Sequence, residues 1–320
     1  MTASVLPDLP NAPSPPEEQT APADIVPRKR RRIDIGLWIA TLWLVGLTFT
    51  SFFADYLPFV RSYDTRVRGA SDFAYGPGYD FWFGSDQLGR DVFARSIYGA
   101  QISLRIAVVS ITVGMLFGGT LGMLAGYFRG RADRGLSIFI DSLLAFPAIV
   151  IAILLVGRFD VLAESDIEIL GIGFRWISRT WSIVFVFALL SIAPLARVTR
   201  AQTLSLSQRE FVLASRSLGA RNSRVLLRDV LPNLVPAMLS VAFTGIAILL
   251  VAEGGLAFLG YSVELPTPTW GRLIAESRTR IEDAWWATIM PCLMLFATVL
   301  AFNVIGDRLA KRFDIREAAL

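Results

Sequence analysis

Six apolar stretches limit what this chain can fold into. They lie at about 35–54, 104–126, 136–156, 181–196, 235–256 and 287–306. Each is long enough, or nearly so, to cross a bilayer core of roughly 30 Å as a helix rising about 1.5 Å per residue. Hydrocarbon offers no partner to a backbone amide, so such stretches must satisfy their own hydrogen bonds as helices. The expected fold is an all-α polytopic membrane protein with six transmembrane helices over residues 35–320. A composition of 54% hydrophobic and 18% charged residues agrees with lipid as the main solvent.

Ahead of the first span, residues 1–27 hold seven prolines among Ser, Glu, Asp and Ala, followed by RKRRR at 28–32. Such a segment buries too little to offset the entropy of ordering it, so residues 1–34 are expected to be a disordered Pro-rich tail with a basic stretch. A polar tail of this length favours a retained anchor over a cleaved signal peptide. Six spans bring both termini to one side of the membrane. With the termini cytoplasmic, 19 Lys and Arg fall inside against 12 outside, the bias of the positive-inside rule. Both termini are therefore expected in the cytoplasm.

Several chemistries are closed to the chain. It has no His and one cysteine, Cys292, which excludes an intramolecular disulfide, a His-based zinc site and any triad built on His. Its only lysines, Lys29 and Lys311, follow no Gly-rich loop, so there is no Walker A phosphate cradle. No metal site, no bound cofactor and no nucleic-acid partner are expected.

Between the fourth and fifth spans, residues 197–234 change character. Ser207 and Glu210 have the spacing of a capping box, which starts a helix whose apolar side carries Phe211, Ala214 or Ser215, and Leu218. Gly219 is placed for a left-handed C-terminal cap. Ser223 can cap a second helix with Leu226, Leu227, Val230 and Leu231 on one side and Arg224 and Arg228 on another, which Pro232 and Pro236 then end. The result is a helix, a tight turn and a helix on the cytoplasmic face. Small residues beside a forced turn suit close docking of a partner, with arginines offered to its carboxylates. An interfacial hairpin meeting anionic lipid headgroups is the alternative.

The stretch Glu210-Phe211-Val212-x-Ala214-Ser215-x3-Gly219, with Asp229-Val230-Leu231-Pro232-Asn233 beyond it, resembles the EAA loop of binding-protein-dependent ABC importers, in the form found in dipeptide, oligopeptide and nickel permeases. Three further stretches resemble the second permease of such pairs: Phe83 to Asp91 continuing to Arg95, Tyr98-Gly99 and Ile102-Ser103-Leu104; Asp141 to Pro147; and Glu253 to Gly260 followed by Pro268-Thr269-Trp270-Gly271. Ser215 stands where the second Ala is usual, and Asp229 where His is common.

The resemblance implies a type I ABC importer permease fold in a bacterial plasma (inner) membrane. It also implies a set of partners: a second homologous permease, one or two cytoplasmic ATPase subunits that hold ATP and Mg, and an extracytoplasmic substrate-binding protein, all within membrane lipid. The coupling loop at 197–234 would seat in the ATPase through Glu210, Ala214, Ser215, Gly219, Arg224, Arg228 and Pro232. The solute implied is a peptide, with nickel complexes or glutathione as rivals. The chain itself would be no enzyme.

Other positions are open to two readings. Gly114, Gly118, Gly122 and Gly126 line one helical face, either for bundle packing or as a sliding surface. Asp141 and Glu253, ionisable groups inside spans, either brace structure or line a pathway. Pro147 should kink the third span, which either shapes a cavity on the pathway or only suits packing, and Trp270, with Trp285 and Trp286, suits an outer aromatic belt as well as a gate. The Asp86–Arg95 cluster reads as a salt-bridged element rather than a metal site. A secondary transporter or channel would need an ionisable site near the bilayer midplane and repeated halves, neither of which is visible here.

Overall fold

The computed structural model describes residues 34–66, 75–164, 168–169, 172–173 and 178–317. The expected disordered tail, up to residue 33, lies outside them. Among the described residues the regular structure is helical apart from a two-residue antiparallel pairing of Glu168–Ile169 with Ile172–Gly173 and isolated bridges before the second span.

Helix α1, Ile35–Phe52, has no acidic residue in its first turn and no basic residue in its last. Ile35, Trp38, Ile39, Leu42, Val45 and Phe49 are all exposed along it, the signature of a lipid-facing helix rather than a core one. Helix α2, Val92–Phe128, begins where the Asp91 carboxylate accepts from the N–H groups of Phe93 at 2.8 Å and Ala94 at 3.4 Å. These satisfy two of the four donors that every helix start leaves free. At 37 residues it is about 55 Å long, more than a bilayer core needs.

Helices α3, Gly130–Leu144, and α4, Ala148–Glu164, share the third apolar stretch. The kink expected at Pro147 is an 85° break, so the stretch at 136–156 is carried by two helices instead of one. Pro147 brings no N–H to continue α3, and its carbonyl accepts from Val150 and Ile151 to start α4. Two ion pairs from α3 fix its direction: Asp133 to Arg200 and Asp141 to Arg197, both on α5, Arg179–Leu206.

A hairpin follows, formed by α6, Glu210–Ser217, and α7, Asn222–Arg224, which runs through a π-helical segment at Val225–Val230 into α8, Leu231–Phe258. Helix α9, Trp270–Ser277, and α10, Trp285–Glu317, complete the chain. Among the described residues, five helices are long and apolar enough to span a membrane: α1, α2, α5, the run Asn222–Phe258 and most of α10. The bent pair α3 and α4 makes six if counted as one span.

Helices α2 and α5 pack backbone against backbone along a glycine face. A Cβ at Gly118 would stand 2.5 Å from the Ile192 carbonyl oxygen, one at Gly122 2.3 Å from that of Ala196, and one at Gly126 2.7 Å from that of Arg200. The glycine face is therefore a tight helix-to-helix seam with no room for a side chain, as bundle packing by small residues requires. Ser110 on α2 adds a hydroxyl bond to the Val184 carbonyl at 2.9 Å.

Candidate functional site

The hairpin is held by a small apolar cluster of its own. Val212, Val225, Leu226, Val230 and Leu234 are buried together with Leu206 of α5 and Met123 and Tyr127 of α2. Gly219, at φ +79°, closes α6: its N–H donates to the Arg216 carbonyl and that of Ala220 to the Ser215 carbonyl, the paired bonds of a Schellman turn.

Three expectations for the hairpin are corrected. No capping box forms, because α5 continues to Leu206 and makes Ser207 its last turn. The Ser207 hydroxyl donates to the Leu204 carbonyl and accepts from Arg129 at 3.3 Å, while α6 starts after Arg209 with no side-chain cap. Ser223 likewise lies inside α7, whose N-terminal flank is Arg221.

Nor do the prolines end the second arm. Within Val225–Val230 the ladder widens, so that the Leu231 N–H reaches back to the Leu226 carbonyl. This wider π turn relieves the clash that the Pro232 ring would make one turn back, and the helix continues into α8.

The face that α6 exposes is the apolar one. The residue it buries is Val212, while Phe211, Leu213 and Leu218 are exposed, the last to 88%. The apolar side read from the sequence thus points away from the chain. Around it, Glu210, Ala214, Arg224, Arg228 and Leu227 are also exposed.

At the far end of α2 lies a second assembly. Glu253, buried near the end of α8, accepts from the Thr269 hydroxyl at 2.7 Å, the Ser103 hydroxyl at 3.4 Å and the Ser262 hydroxyl at 3.5 Å. A Cβ on Gly271 would fall 2.6 Å from the Gly254 Cα, so glycine is what allows α9 to rest on α8. Trp270 is fully buried, its indole N–H donating to the Ser96 carbonyl at 3.0 Å and its backbone N–H to the Ser103 hydroxyl at 3.2 Å. This removes it from any aromatic belt, whereas Trp285 is half exposed.

Beside it, Asp86 pairs with Arg90 at 2.7 Å and with Arg95 at 3.5 Å, and Glu276 of α9 stands 3.6 Å from Arg95 and 2.6 Å from Arg272. The cluster that precedes α2 is thus a largely buried ion-pair network reaching α9. Burial pushes the neighbouring Asp91 carboxyl above its ordinary range, against the amide bonds it accepts and Arg61 at 3.9 Å.

Between these ends, α2, α4, α5 and α8 line a pocket of about 430 Å³, open on one side, with walls such as Ile111, Ile149, Phe187, Pro194, Ile248 and Leu249, and hydroxyls only from Ser191, Ser240 and Thr244. None of Asp141, Pro147, Glu253 and Trp270 lines it. Asp141 is a surface ion pair with Arg197, Pro147 a helix break, and Glu253 and Trp270 belong to the far-end brace. Sequence reasoning missed the cavity lining, since an apolar residue on a span reads alike whether it meets lipid, a neighbour or a cavity.

Residues 118–316 match the family described as binding-protein-dependent transport system inner membrane component. The chain belongs to this family. The permease is 30% identical over 313 residues to the dipeptide transport system permease protein DppC of Alkalihalophilus pseudofirmus, covering 95% of this chain and 94% of that one. It is 36% identical over 276 residues to the glutathione transport system permease protein GsiD of Pectobacterium atrosepticum, covering 86% and 85%.

Among solved structures, it superposes on a chain of the inward-facing MetNI methionine ABC transporter with a TM-score of 0.54 at 15% identity, over 69% of this chain and 97% of that one. At that identity the likeness speaks for the fold alone, the helical fold of an ABC importer permease. The permease is thus an inner-membrane component of a type of importer that works with ATPase and substrate-binding partners.

Proposed function

We propose that the permease is one of two homologous subunits forming a translocation path for a peptide-class solute, delivered by an extracytoplasmic binding protein and driven by ATP and Mg held on one or two cytoplasmic ATPase subunits. The observation that carries this reading is the hairpin. A short helix anchored by Val212 presents Phe211, Leu213 and Leu218 outward beside exposed Arg224 and Arg228, a surface built for a partner rather than for this chain's own core.

The roles follow from position. Glu210, Ala214 and Ser215 sit on the docking helix, Gly219 sets the turn, and Arg224 and Arg228 offer planar donors to carboxylates. Pro232 lies where the second arm enters α8. ATP binding would draw two such hairpins together and rock the spans between inward- and outward-facing states. Such coupling exists only to the extent that the hairpin contacts differ in free energy between those states. The chain contributes no catalytic step, and its termini are assigned to the cytoplasm by the Lys and Arg bias. Peptide is chosen as solute because relatives named for dipeptide and for glutathione transport both match over most of their length.

A secondary transporter remains the reading of a different class. Against it, Glu253 lies near one end of α8, engaged by three hydroxyls, instead of facing the cavity at mid-span. The test is gentle purification of the tagged permease from its host with mass spectrometry of what accompanies it. A second permease with one or two Walker A proteins is the expected result. A chain that comes out alone and still moves a labelled dipeptide in vesicles would overturn the importer reading.

A further inference from the structure

The two arms of the hairpin meet at one side chain of another helix. Tyr127, 6% exposed in the last turn of α2, donates its hydroxyl to the Asn222 side-chain oxygen at 3.0 Å, at the start of the second arm. The guanidinium of Arg216, in the last turn of the first arm, lies over the same ring with its carbon 4.5 Å from the centroid. The arms are otherwise joined by the Gly219 turn, at which a Cβ would meet nothing within 4 Å, and by the packing of Val212 against the second arm's apolar residues. Beside that apolar packing and the continuity of the second arm with α8, Tyr127 gives both arms a side-chain link to α2.

The helix that carries Tyr127 is suited to transmit displacement. Helix α2 is continuous for 37 residues, and its glycine face touches the α5 backbone at three successive turns, so the two helices form a stiff pair. The opposite end of α2 holds the far-end brace through the Ser96 carbonyl, which accepts from Trp270, and through the Ser103 hydroxyl, which contacts both Trp270 and Glu253.

We propose that Tyr127 is a positioning residue that passes movement of the hairpin into α2, and along the α2–α5 pair to the Glu253–Trp270 brace at the other end. The proposal rests on the reading of the hairpin as the ATPase-docking element. Its chemistry requires both parts of the side chain: the ring face for Arg216 and the hydroxyl for Asn222. Phenylalanine keeps the ring and its burial and removes only the link to the second arm, so Tyr127→Phe should fold and assemble.

The experiment uses the complete complex purified with its partners, in nanodiscs, with and without ATP and vanadate. Hydrogen exchange is followed by mass spectrometry over Thr269–Ser277, a readout independent of which solute is carried. In parallel, Leu218→Cys in a Cys292→Ser background reports docking by cross-linking to the ATPase.

In the wild type, nucleotide changes exchange over Thr269–Ser277. In Tyr127→Phe and in Asn222→Ala that change shrinks about fivefold, the equilibrium factor of one ordinary hydrogen bond. The double variant should be no worse than either single one, and cross-linking should persist in all. A purely structural role would lower the yield of complex and leave the nucleotide response of the surviving complex unchanged.

A response equal in wild type and variants, additive losses in the double variant, or no response in the wild type would overturn the Tyr127 proposal while cross-linking upheld the docking reading. Absence of the cross-link in the wild type would instead remove the docking reading on which the proposal stands.

Discussion

Gly122→Ala adds one methyl group where the structure has room for none. The new Cβ would stand 2.3 Å from the Ala196 carbonyl oxygen and 2.9 Å from the Thr199 Cβ, where ordinary contact begins near ~3.4 Å. The obstacle is backbone, not the end of a flexible side chain, so α2 and α5 must part by about 1 Å around this turn. Parting them loosens the neighbouring contacts of Gly118 with Ile192 and of Gly126 with Arg200. Overpacking of this kind costs about 1–3 kcal/mol.

The comparison variant is Gly46→Ala on α1, where a Cβ would meet nothing within 4 Å. It adds the same methyl to a helix interior without strain and should be neutral or slightly stabilising. The assay is the apparent unfolding midpoint of the purified permease complex at one fixed scan rate, since membrane complexes unfold irreversibly. Gly122→Ala should fall by a few degrees while Gly46→Ala stays level or rises. Equal midpoints for the two would refute the view that the glycine face is a backbone-to-backbone seam.

Three further outcomes are expected. Gly219→Val places a β-branched residue at φ +79°, a strain of about 1–2 kcal/mol confined to the turn; the spans should assemble and uptake of labelled dipeptide should fail, so normal uptake would remove the coupling role of the hairpin. Glu253→Leu leaves the Thr269 and Ser103 hydroxyls without their buried acceptor, at about 1–3 kcal/mol for each donor orphaned, whereas Glu253→Gln keeps an acceptor and should lose less; equal midpoints for the two variants would show that the brace is not held by these bonds. Asp141→Asn breaks an ion pair whose partners are both more than half exposed, worth below about 1 kcal/mol, and should leave the midpoint nearly unchanged; a tenfold loss of uptake would show that Asp141 does more than pair with Arg197.

The hairpin shows how far local signals reach. Gly219 was legible because a left-handed turn after a short amphipathic segment is a matter of chirality and spacing within a few residues. The capping box failed for a related reason: Ser207 has the right spacing to Glu210, but it closes α5, and an N-terminal cap exists only where a helix begins. The break at Pro147 was legible as a kink. Its 85° size was not, because the Asp133–Arg200 and Asp141–Arg197 pairs that hold α3 to α5 join residues more than fifty positions apart.

By itself, then, the sequence determined that the chain is helical and membrane-embedded, where its apolar stretches lie, and which motifs mark it as an importer permease. Length, hydropathy and motif order are properties of short stretches, and they survive in any arrangement of the helices. The tertiary structure decided which face of α6 is exposed, that Trp270 and Glu253 are buried in a brace, and that Tyr127 meets Asn222 across 95 positions. In lipid, apolar side chains are at home on the outside as well as in the core, so hydrophobicity alone does not mark the inner face of a helix. That choice falls to shape, close backbone approach and the few hydrogen bonds between helices, which exist only once the helices have been brought together.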